Sequence, residues 1–352
     1  MVQIPEKAQQ YYLPKRESIN DLTLRTFDVP KPGAQEVLIK IHAVALNYRD
    51  ILVATDRYRD YGPVADNLIP CSDCAGEVVA VGQGVSKWAV GDRVTASFLL
   101  DYVDGNARIE YVFSVLGGSI DGVLTEYRVF PAHSLAKIPD SLSYEEASTL
   151  PCAAVTAWNA LQGPVPVKAG DNVLVLGTGG VSIFVLQFAA AAGATVIATS
   201  SSDEKLAKAK ELGAKHLINY RQTPDWDQEV FKLTKGEGAR HVVDVGGAAT
   251  ISKSVGSLGL SGWLTADEPG IPSFLQQEHE PLLGKLTSRH GNMRTIKVGP
   301  LAMLEDLIRA LDANDIKPVI DSVFSFDQAV EALKYLESQK HVGKVVIRVA
   351  SN

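Results

Sequence analysis

The most regular pattern of apolar and polar positions lies in the middle of the chain. Residues 173–176 are apolar and carry β-branched valines, as expected of a parallel strand that is buried on both faces. Glycines between 177 and 180 interrupt this strand, and a helix-compatible apolar stretch follows to 192. Residues 195–199 are again β-branched. The pattern therefore predicts a continuous strand, turn, helix and strand.

The glycine turn of this unit indicates a dinucleotide site. Glycines let the backbone turn sharply and approach a pyrophosphate, whose charge is met by the free N–H groups at the start of the next helix. The G-x-G-x-x-G fingerprint is matched only in part, because Ser182 stands at the third small position. The alternative is a glycine-rich turn without a ligand. The residues expected to hold the pyrophosphate are Gly177, Thr178, Gly179, Gly180 and Val181.

The pattern differs on the two sides of this unit. Before it, alternating or β-branched runs at 37–44, 77–82 and 91–95 predict a mostly β half. After it, helices and strands alternate, which indicates a doubly wound parallel sheet; they are predicted at 203–213, 216–220, 225–234 and 240–247. The chain is expected to close with amphipathic helices and strands at 301–313, 319–324, 327–338 and 344–349.

A membrane span has to be considered, because no charged residue occurs between Asp171 and Asp203. A spanning helix needs about 20 consecutive apolar residues, and the glycines at 177–180 and at 193 cut this segment into shorter pieces. The N-terminal residues 1–16 are polar and charged and contain no apolar signal core. These features predict a soluble, cytoplasmic protein.

Composition favours small-molecule chemistry over nucleic-acid or membrane binding. The chain has 352 residues, enough for two domains, and 46% of them are hydrophobic. With 34 basic and 41 acidic residues the net charge is −7, so no basic field is available for nucleic acid or anionic lipid. We expect a small-molecule substrate and neither a nucleic-acid nor a membrane partner.

The three cysteines leave two interpretations open. Cys71 and Cys74 have C-x-x-C spacing, which could be half of a zinc site or a redox pair. No second C-x-x-C or histidine-rich segment follows, and only Cys152 could join them. The alternative is that they are ordinary small buried residues, with reduced thiols.

Six segments together resemble the medium-chain dehydrogenase/reductase superfamily over nearly the whole chain: 45–50, 69–82, 91–94, 147–158, 177–181 and 342–347. The resemblance implies a Rossmann doubly wound parallel sheet, at 154–300, inserted in a β-rich GroES-like catalytic domain made of 1–153 and 301–352. It further implies a nicotinamide cofactor and a homodimer paired through the last Rossmann strand. Residues 293–299 alternate in a way that suits this edge.

The resemblance also raises the question of zinc. Zinc alcohol dehydrogenases bind a catalytic metal through Cys, His and Cys, positions that correspond here to Asn47, Ser72 and Cys152. An amide and a hydroxyl are poor substitutes for the missing ligands. The segment 93–130 contains no cysteine for a structural zinc loop, and the proton-relay positions correspond to Arg49 and Leu52. The chain is therefore similar to the zinc-independent branch, which contains quinone and enoyl reductases, and no metal is expected.

Cofactor preference follows from the end of the second Rossmann strand. An NAD site has an acidic residue there for the ribose 2′-hydroxyl, whereas this strand ends at Ser200. Ser200 and Ser201 can donate hydrogen bonds to a 2′-phosphate, and Lys205 lies one helical turn further. The resemblance adds Tyr220 as a phosphate contact. We expect NADPH, with NADH possible; the alternative is that Lys205 is simply a solvated helix residue.

Candidate catalytic residues come mostly from the resemblance. Reduction of an activated double bond needs a hydride at one carbon and a proton at the next. Related enoyl reductases take the proton from a tyrosine eleven residues after Asn47, which is Tyr58 here, although a surface tyrosine is an equal alternative. Asn47 can hydrogen-bond the cofactor ribose or a substrate oxygen. Thr156 is implied beside the nicotinamide, and Asp50 is expected to be structural.

The sequence thus predicts a zinc-independent oxidoreductase that transfers a hydride from NADPH to a small enone, quinone or carbonyl. One alternative is an NAD(P)-dependent alcohol dehydrogenase, and another is a non-catalytic NADPH-binding homologue. Substrate identity is expected to reside in loops near 55–68, 98–120 and 264–290. Within the last of these, 267–280 is a candidate mobile loop because of its prolines and glycine.

Overall fold

A computed structural model describes residues 4–58, 62–267 and 280–350. The chain divides into two compact units, the first made of residues 1–155 and 298–352 and the second of residues 156–297. The candidate mobile loop at 267–280 lies almost entirely outside the described residues. None of the helices in the described ranges is both long and apolar enough to cross a membrane.

The strands alternate with helices in the second unit and dominate the first. The strands are β1 (Lys7–Tyr12), β2 (Thr23–Asp28), β3 (Glu36–Ala45), β4 (Asp73–Val81), β5 (Arg93–Ala96), β6 (Tyr127–Pro131), β7 (Leu135–Lys137), β8 (Asn172–Leu176), β9 (Thr195–Ser200), β10 (His216–Asn219), β11 (Ala239–Asp244), β12 (Leu258–Asp267), β13 (Asn292–Ile296), β14 (Ile320–Ser325) and β15 (Lys344–Arg348).

The helices are short in the first half and longer later. They are α1 (Tyr48–Ala54), α2 (Tyr144–Ser148), α3 (Val155–Leu161), α4 (Gly180–Ala191), α5 (Asp203–Glu211), α6 (Trp226–Leu233), α7 (Ile251–Gly256), α8 (Glu280–Ser288), α9 (Leu301–Ala313) and α10 (Ala329–Glu337). A π-helical turn, Leu150–Ala154, precedes α3.

The first unit is built on a strand, β3, that pairs with three neighbours. Its sheet has the order β14-β15-β3-β4-β5-β7, and β6 also pairs with β3. β3 is antiparallel to β4, with Ala45 opposite Asp73, and antiparallel to β15, with Ala45 opposite Val346. Because β3 ends where β4 and β15 begin, residues just past its end lie beside the first residues of both neighbours.

The second unit is a parallel sheet of order β10-β9-β8-β11-β12-β13. The strand order reverses between β8 and β11, and ligands of such sheets bind outside the carboxyl ends of the strands at this point. β13 forms one edge, so the expected edge-to-edge pairing with a second copy stays a prediction. The predicted α/β class, with a doubly wound parallel sheet and a separate β-rich unit, is confirmed.

Close approach of β3 and β4 requires glycine at position 76. Gly76 faces Ile41 across the pair, and a Cβ atom at this position would lie 2.2 Å from the Lys40 carbonyl oxygen. That oxygen belongs to the backbone of a buried strand, so it cannot move without disturbing the ladder. Gly76 is therefore a packing requirement of the first unit.

We predict that Gly76→Ala lowers the free energy of unfolding by about 2 kcal/mol or more, because the strands must separate to admit the methyl group. Chemical denaturation of the wild type and the variant measures this difference in the free energy of unfolding. The control is Gly284→Ala in α8, where an added Cβ meets nothing within 4 Å and alanine should stabilise the helix by about 0.5–1 kcal/mol. Equal effects of the two substitutions would contradict the packing argument.

Candidate functional site

The glycine turn predicted to bind a pyrophosphate follows β8 in the second unit. Gly177 adopts a left-handed φ of 78°, which suits glycine, and Gly179 precedes α4 in an extended conformation. A Cβ atom at either glycine would project into space that contains no protein atom within 4 Å. The side chain of Thr178 is buried, and Val181 is half-buried in the first turn. The turn thus leaves room for a ligand to approach the backbone.

The N-terminus of α4 offers its backbone N–H groups to that space. In the described part of the chain no side chain caps this helix, so its first N–H groups lack the partner that a capping residue supplies. Such groups, together with the helix dipole, favour a phosphate. The five residues predicted at this turn therefore fit a dinucleotide pyrophosphate.

The contacts of Ser182 explain how a serine can stand at the third small position of the fingerprint. Its hydroxyl donates to the Leu176 carbonyl oxygen at 2.7 Å, and its side chain is buried. The hydrogen bond joins the first turn of α4 to the last residue of β8. Serine therefore keeps helix and strand close by bonding them, where glycine does so by its size.

The residues predicted to select the cofactor lie together at the end of β9. The Tyr220 N–H donates to the Ser200 carbonyl at 3.1 Å, and the Lys205 N–H donates to the Ser202 hydroxyl at 3.4 Å. Ser200 is buried, Ser201 and Lys205 are half-buried, and Tyr220 is exposed. The turn after β8 adjoins this group, because the Gly177 N–H donates to the Thr199 carbonyl.

A carboxylate that sequence reasoning treated only as the start of a helix also belongs to this group. The two oxygens of Asp203 accept hydrogen bonds from the Asn219 amide at 2.7 Å and from the Gln222 amide at 2.9 Å. These two residues flank Tyr220. Asp203 therefore links the segment that carries Tyr220 to the beginning of α5. The donors to its carboxylate are two neutral amides.

The first unit contains a second group of candidate residues, assembled by the strand register described above. The Lys344 ammonium, at the first residue of β15, donates to the Leu46 carbonyl at 2.6 Å and to the Asn47 side-chain oxygen at 2.5 Å. Both acceptors follow the end of β3. Lys344 is 3% exposed and Asn47 is 9% exposed. The sequence alone did not identify Lys344 as a site residue, because a lysine directly before a run of apolar residues is typical of the first residue of a strand.

Two buried carboxylates accompany this lysine. Asp50 accepts the Asn47 N–H at 2.8 Å, while Asp73 accepts the Ser72 hydroxyl at 2.6 Å and the Cys152 N–H at 3.1 Å. Burial raises the pKa of the Asp50 carboxyl to about 6, although the positive charge of Arg49 lowers it. Burial also raises the pKa of Asp73, although the positive charge of Lys344 lowers it.

Arg49 connects this group to Tyr58. Its guanidinium donates to the Leu116 carbonyl at 2.6 Å and to the Gly117 carbonyl. The guanidinium carbon lies 5.2 Å from the centre of the Tyr58 ring and 4.8 Å from that of the Phe98 ring. Tyr58 is 5% exposed, so the alternative of a surface tyrosine is wrong. The structure places Tyr58 and Asn47 in one unit, linked through α1.

Thr156, the remaining predicted contact, is 2% exposed and lies in α3, at the beginning of the second unit. The cysteines fit the simpler of the two interpretations. Cys71 and Cys74 are buried free thiols, and burial raises the pKa of Cys71 and brings that of Cys74 to about 12. A thiol of that kind is a poor nucleophile and a poor metal ligand.

The residues at the zinc-ligand positions do not fit a zinc ion. The Asn47 oxygen already accepts from a buried ammonium, which would repel a divalent cation, and the Ser72 hydroxyl donates to Asp73. Within the described residues, no group of three His, Cys, Asp or Glu side chains is arranged to hold a metal. Only the Cys152 thiol remains as a zinc-type donor at these positions.

We predict that Asp50→Asn changes how stability depends on pH. The pKa of Asp50 is near 3.8 in the unfolded chain and about 6 in the folded protein, so the folded state binds the proton more tightly. The free energy of unfolding therefore falls as the pH rises from about 3.8 to about 6. Relative to the variant, wild type should lose up to about 3 kcal/mol of unfolding free energy from pH 4 to 7. Denaturant titrations across this range measure it; parallel curves would contradict the assignment.

Comparison with known proteins agrees with this geometry. Residues 33–140 match the model of the alcohol dehydrogenase GroES-like domain, and residues 180–265 match that of the zinc-binding dehydrogenase family. A zinc-type alcohol dehydrogenase-like protein of Schizosaccharomyces pombe is 45% identical over 92% of this chain and 94% of its own.

Two further proteins are similar over nearly the whole chain. A 2-methylene-furan-3-one reductase of Solanum lycopersicum is 31% identical over 98% of this chain and 80% of its own. A solved Sinorhizobium meliloti structure, assigned as an alcohol dehydrogenase, superimposes with a TM-score of 0.88 at 38% identity, over 99% of this chain and all of its own. The chain therefore belongs to the medium-chain dehydrogenase/reductase superfamily and is an NAD(P)-dependent oxidoreductase.

Proposed function

We propose that this protein is a zinc-independent reductase that transfers a hydride from NADPH to a small enone, quinone or carbonyl compound. The observation that carries the proposal is the buried hydrogen bond from the Lys344 ammonium to the side-chain oxygen of Asn47, a position that corresponds to a metal ligand of zinc-dependent relatives. Without that metal ligand, a reductase would stabilise negative charge on a substrate oxygen through hydrogen-bond donors and not through a Lewis acid. The similarity to a furanone reductase supports reduction of a carbonyl-conjugated double bond.

The second unit supplies the residues that would hold the cofactor, whose nicotinamide provides the hydride when bound. The turn at 177–181 would bind the pyrophosphate with its backbone N–H groups. Ser200, Ser201, Lys205 and Tyr220 would bind the 2′-phosphate. The two oxygens of Asp203, which begins the same helix as Lys205, already accept hydrogen bonds from Asn219 and Gln222. NADH is the alternative cofactor, since the same carboxylate could accept a ribose 2′-hydroxyl instead.

The first unit supplies the residues that would act on the substrate. Asn47 would donate to the carbonyl oxygen and stabilise the negative charge that grows there as the hydride adds to the distant carbon. Tyr58 would give its phenolic proton to the carbon next to the carbonyl. Arg49, whose guanidinium faces the Tyr58 ring, would stabilise the tyrosinate that remains until water restores the proton.

One alternative follows from another observation. The 45% identity to a zinc-type alcohol dehydrogenase-like protein favours an alcohol dehydrogenase that acts without the usual metal. The reaction and its metal requirement separate the two.

The experiment is NADPH oxidation by purified protein with enones, quinones, aldehydes and, in reverse, alcohols. The proposal expects turnover of an enone, quinone or aldehyde, unchanged by a chelator, and less than one zinc per chain by elemental analysis. One tightly bound zinc whose removal abolishes activity would overturn it. Binding of NADPH without turnover of any enone, quinone or aldehyde would also contradict the proposal.

We predict that Lys205→Ala weakens NADPH binding by about 1–3 kcal/mol and leaves NADH binding nearly unchanged, because the substitution removes a charged hydrogen bond to the 2′-phosphate. Fluorescence titration with both cofactors measures the difference. The control is Lys208→Ala in the same helix, whose ammonium pairs with Glu211 at 2.9 Å. Equal losses for both cofactors would show that Lys205 does not contact the phosphate.

We predict that Tyr58→Phe lowers turnover of an enone by about 10²–10⁴-fold, the usual contribution of a positioned general acid, while NADPH affinity barely changes. The control is Tyr48→Phe, an exposed tyrosine of α1 in the same unit. Near wild-type turnover in Tyr58→Phe would remove Tyr58 from the mechanism. It would favour quinone or carbonyl reduction, in which water can protonate the product oxygen.

A further inference from the structure

The residues that follow β11 lie beside the open glycine turn that follows β8. The two strands are parallel neighbours, and Val243 stands opposite Val175 in their register. Two residues further along each strand, Val245 therefore comes beside Gly177. Val245 is apolar but 37% exposed, and a Cβ atom at Gly177 would meet no protein atom within 4 Å. An exposed apolar side chain thus borders the space in which the pyrophosphate would lie.

The order of the strands indicates which half of a dinucleotide these residues would meet. β9 and β11 lie on opposite sides of β8. In sheets of this kind the pyrophosphate binds at the turn after the first strand, and the adenosine ribose binds at the end of the second. These strands are β8 and β9 here, so the nicotinamide half would extend toward β11. Residues 245–247 are thus placed to contact the nicotinamide riboside.

The carboxylate of Asp244, the last residue of β11, holds this turn. Its Oδ1 atom accepts the Gly246 N–H at 2.8 Å and the Thr250 hydroxyl at 2.7 Å. Its Oδ2 atom accepts the hydroxyl of Ser254, in α7, at 2.6 Å. Asp244 is 1% exposed, and a buried carboxylate needs such donors to offset the loss of water. The carboxylate therefore joins the turn to the helix that follows it.

The turn itself is compact. A Cβ atom at Gly246 would lie 2.7 Å from the Thr250 hydroxyl oxygen, and Gly247 adopts a left-handed φ of 73°. The same hydroxyl lies 3.1 Å from the Gly247 carbonyl oxygen. Two glycines, one hydroxyl and one carboxylate thus define the conformation of the turn that leaves Val245 exposed.

We propose that Asp244 is a positioning residue that holds the turn 245–247 against the nicotinamide riboside of the cofactor. The inference rests on the cofactor placement proposed above and does not depend on the substrate. Val245 would contact this half of the cofactor with its apolar side chain, and the backbone of Gly246 and Gly247 would allow the sugar a close approach. A turn held in advance loses little conformational freedom when the cofactor binds, so Asp244 would raise the affinity for the nicotinamide half.

Two ligands test this separation: NADPH, and 2′,5′-ADP, which contains only the adenosine half. NADH and AMP take their places if the wild type prefers NADH. Calorimetric titration of the purified full chain measures both dissociation constants. Asp244→Ala should weaken NADPH binding by about 10–100-fold, because the turn must then be ordered at the expense of binding. Binding of 2′,5′-ADP should change by less than about threefold, a difference that a general structural defect would not produce.

Two milder variants cover the possibility that Asp244→Ala does not fold. Thr250→Val keeps the shape of the side chain and removes one donor to the carboxylate, so NADPH binding should weaken by about 3–10-fold. Asp244→Asn keeps an oxygen for Gly246 and Thr250 and directs an amide nitrogen at the Ser254 hydroxyl, which can accept. It should therefore retain most of the affinity that Asp244→Ala loses.

The matched control is Thr234→Val, the same substitution at the opposite edge of the sheet. The Thr234 hydroxyl is also buried, donates to the Val230 carbonyl at 2.7 Å and accepts the Gly238 N–H at 2.8 Å in the loop before β11. Its removal should leave both dissociation constants within about threefold of the wild type. A selective loss of NADPH affinity in this control as large as that in Thr250→Val would contradict the inference.

Other results of the same titrations also overturn the inference. Equal losses of NADPH and 2′,5′-ADP affinity would show a general defect of the second unit, and wild-type NADPH affinity in Thr250→Val and Asp244→Ala would show that the turn does not contact the cofactor. An Asp244→Asn variant as weak as Asp244→Ala would show that the carboxylate acts through its charge. Wild-type protein that binds neither NADPH nor NADH would overturn the cofactor placement itself, whereas binding without a selective loss in the variants would overturn only this inference.

Discussion

The first unit depends on a buried ammonium where three strands meet. Lys344 begins β15 and hydrogen-bonds two groups just past the end of β3, while Asp73 begins β4 beside them. Burying an isolated charge is costly, and the cost is offset only by good geometry and opposite charges nearby. Two acceptor oxygens and the carboxylates of Asp50 and Asp73 meet that condition. The register of β3 with β4 and β15 thus determines that Lys344, Asn47 and Asp73 lie together.

The two units build their candidate sites from different parts of the chain. The second unit uses backbone: a left-handed Gly177, an uncapped helix and open space over the turn. The first unit uses buried side chains that hold one another by hydrogen bonds and charge. A backbone site tolerates sequence change wherever the glycines remain. A side-chain site fails when any member is lost, because the partner is then a buried polar group without compensation.

This difference explains what could be predicted from the sequence. The alternation of strands, glycine turn and helices predicts the α/β class and the position of the glycine turn, since both are local patterns. Lys344 and Asn47 are 297 positions apart, and no local pattern relates a lysine at the edge of an apolar run to an amide at the end of another strand. Tyr58 stands among charged residues, which suggested a surface loop, but the Arg49 guanidinium covers its ring. The roles assigned to these residues stay predictions.

The sequence pattern correctly places Asp203 at the start of a helix but does not reveal its hydrogen-bond partners. An acidic residue in the first turn of a helix suits the helix dipole, which is a sufficient reason for its presence. In the structure its carboxylate also fastens the segment on either side of Tyr220 to the beginning of α5. An acid close to the end of the second strand normally favours NAD. Here two neutral amides already donate to its two oxygens. A comparison of residue types at the strand end alone therefore does not reveal which groups the carboxylate already binds, and this information comes only from the structure.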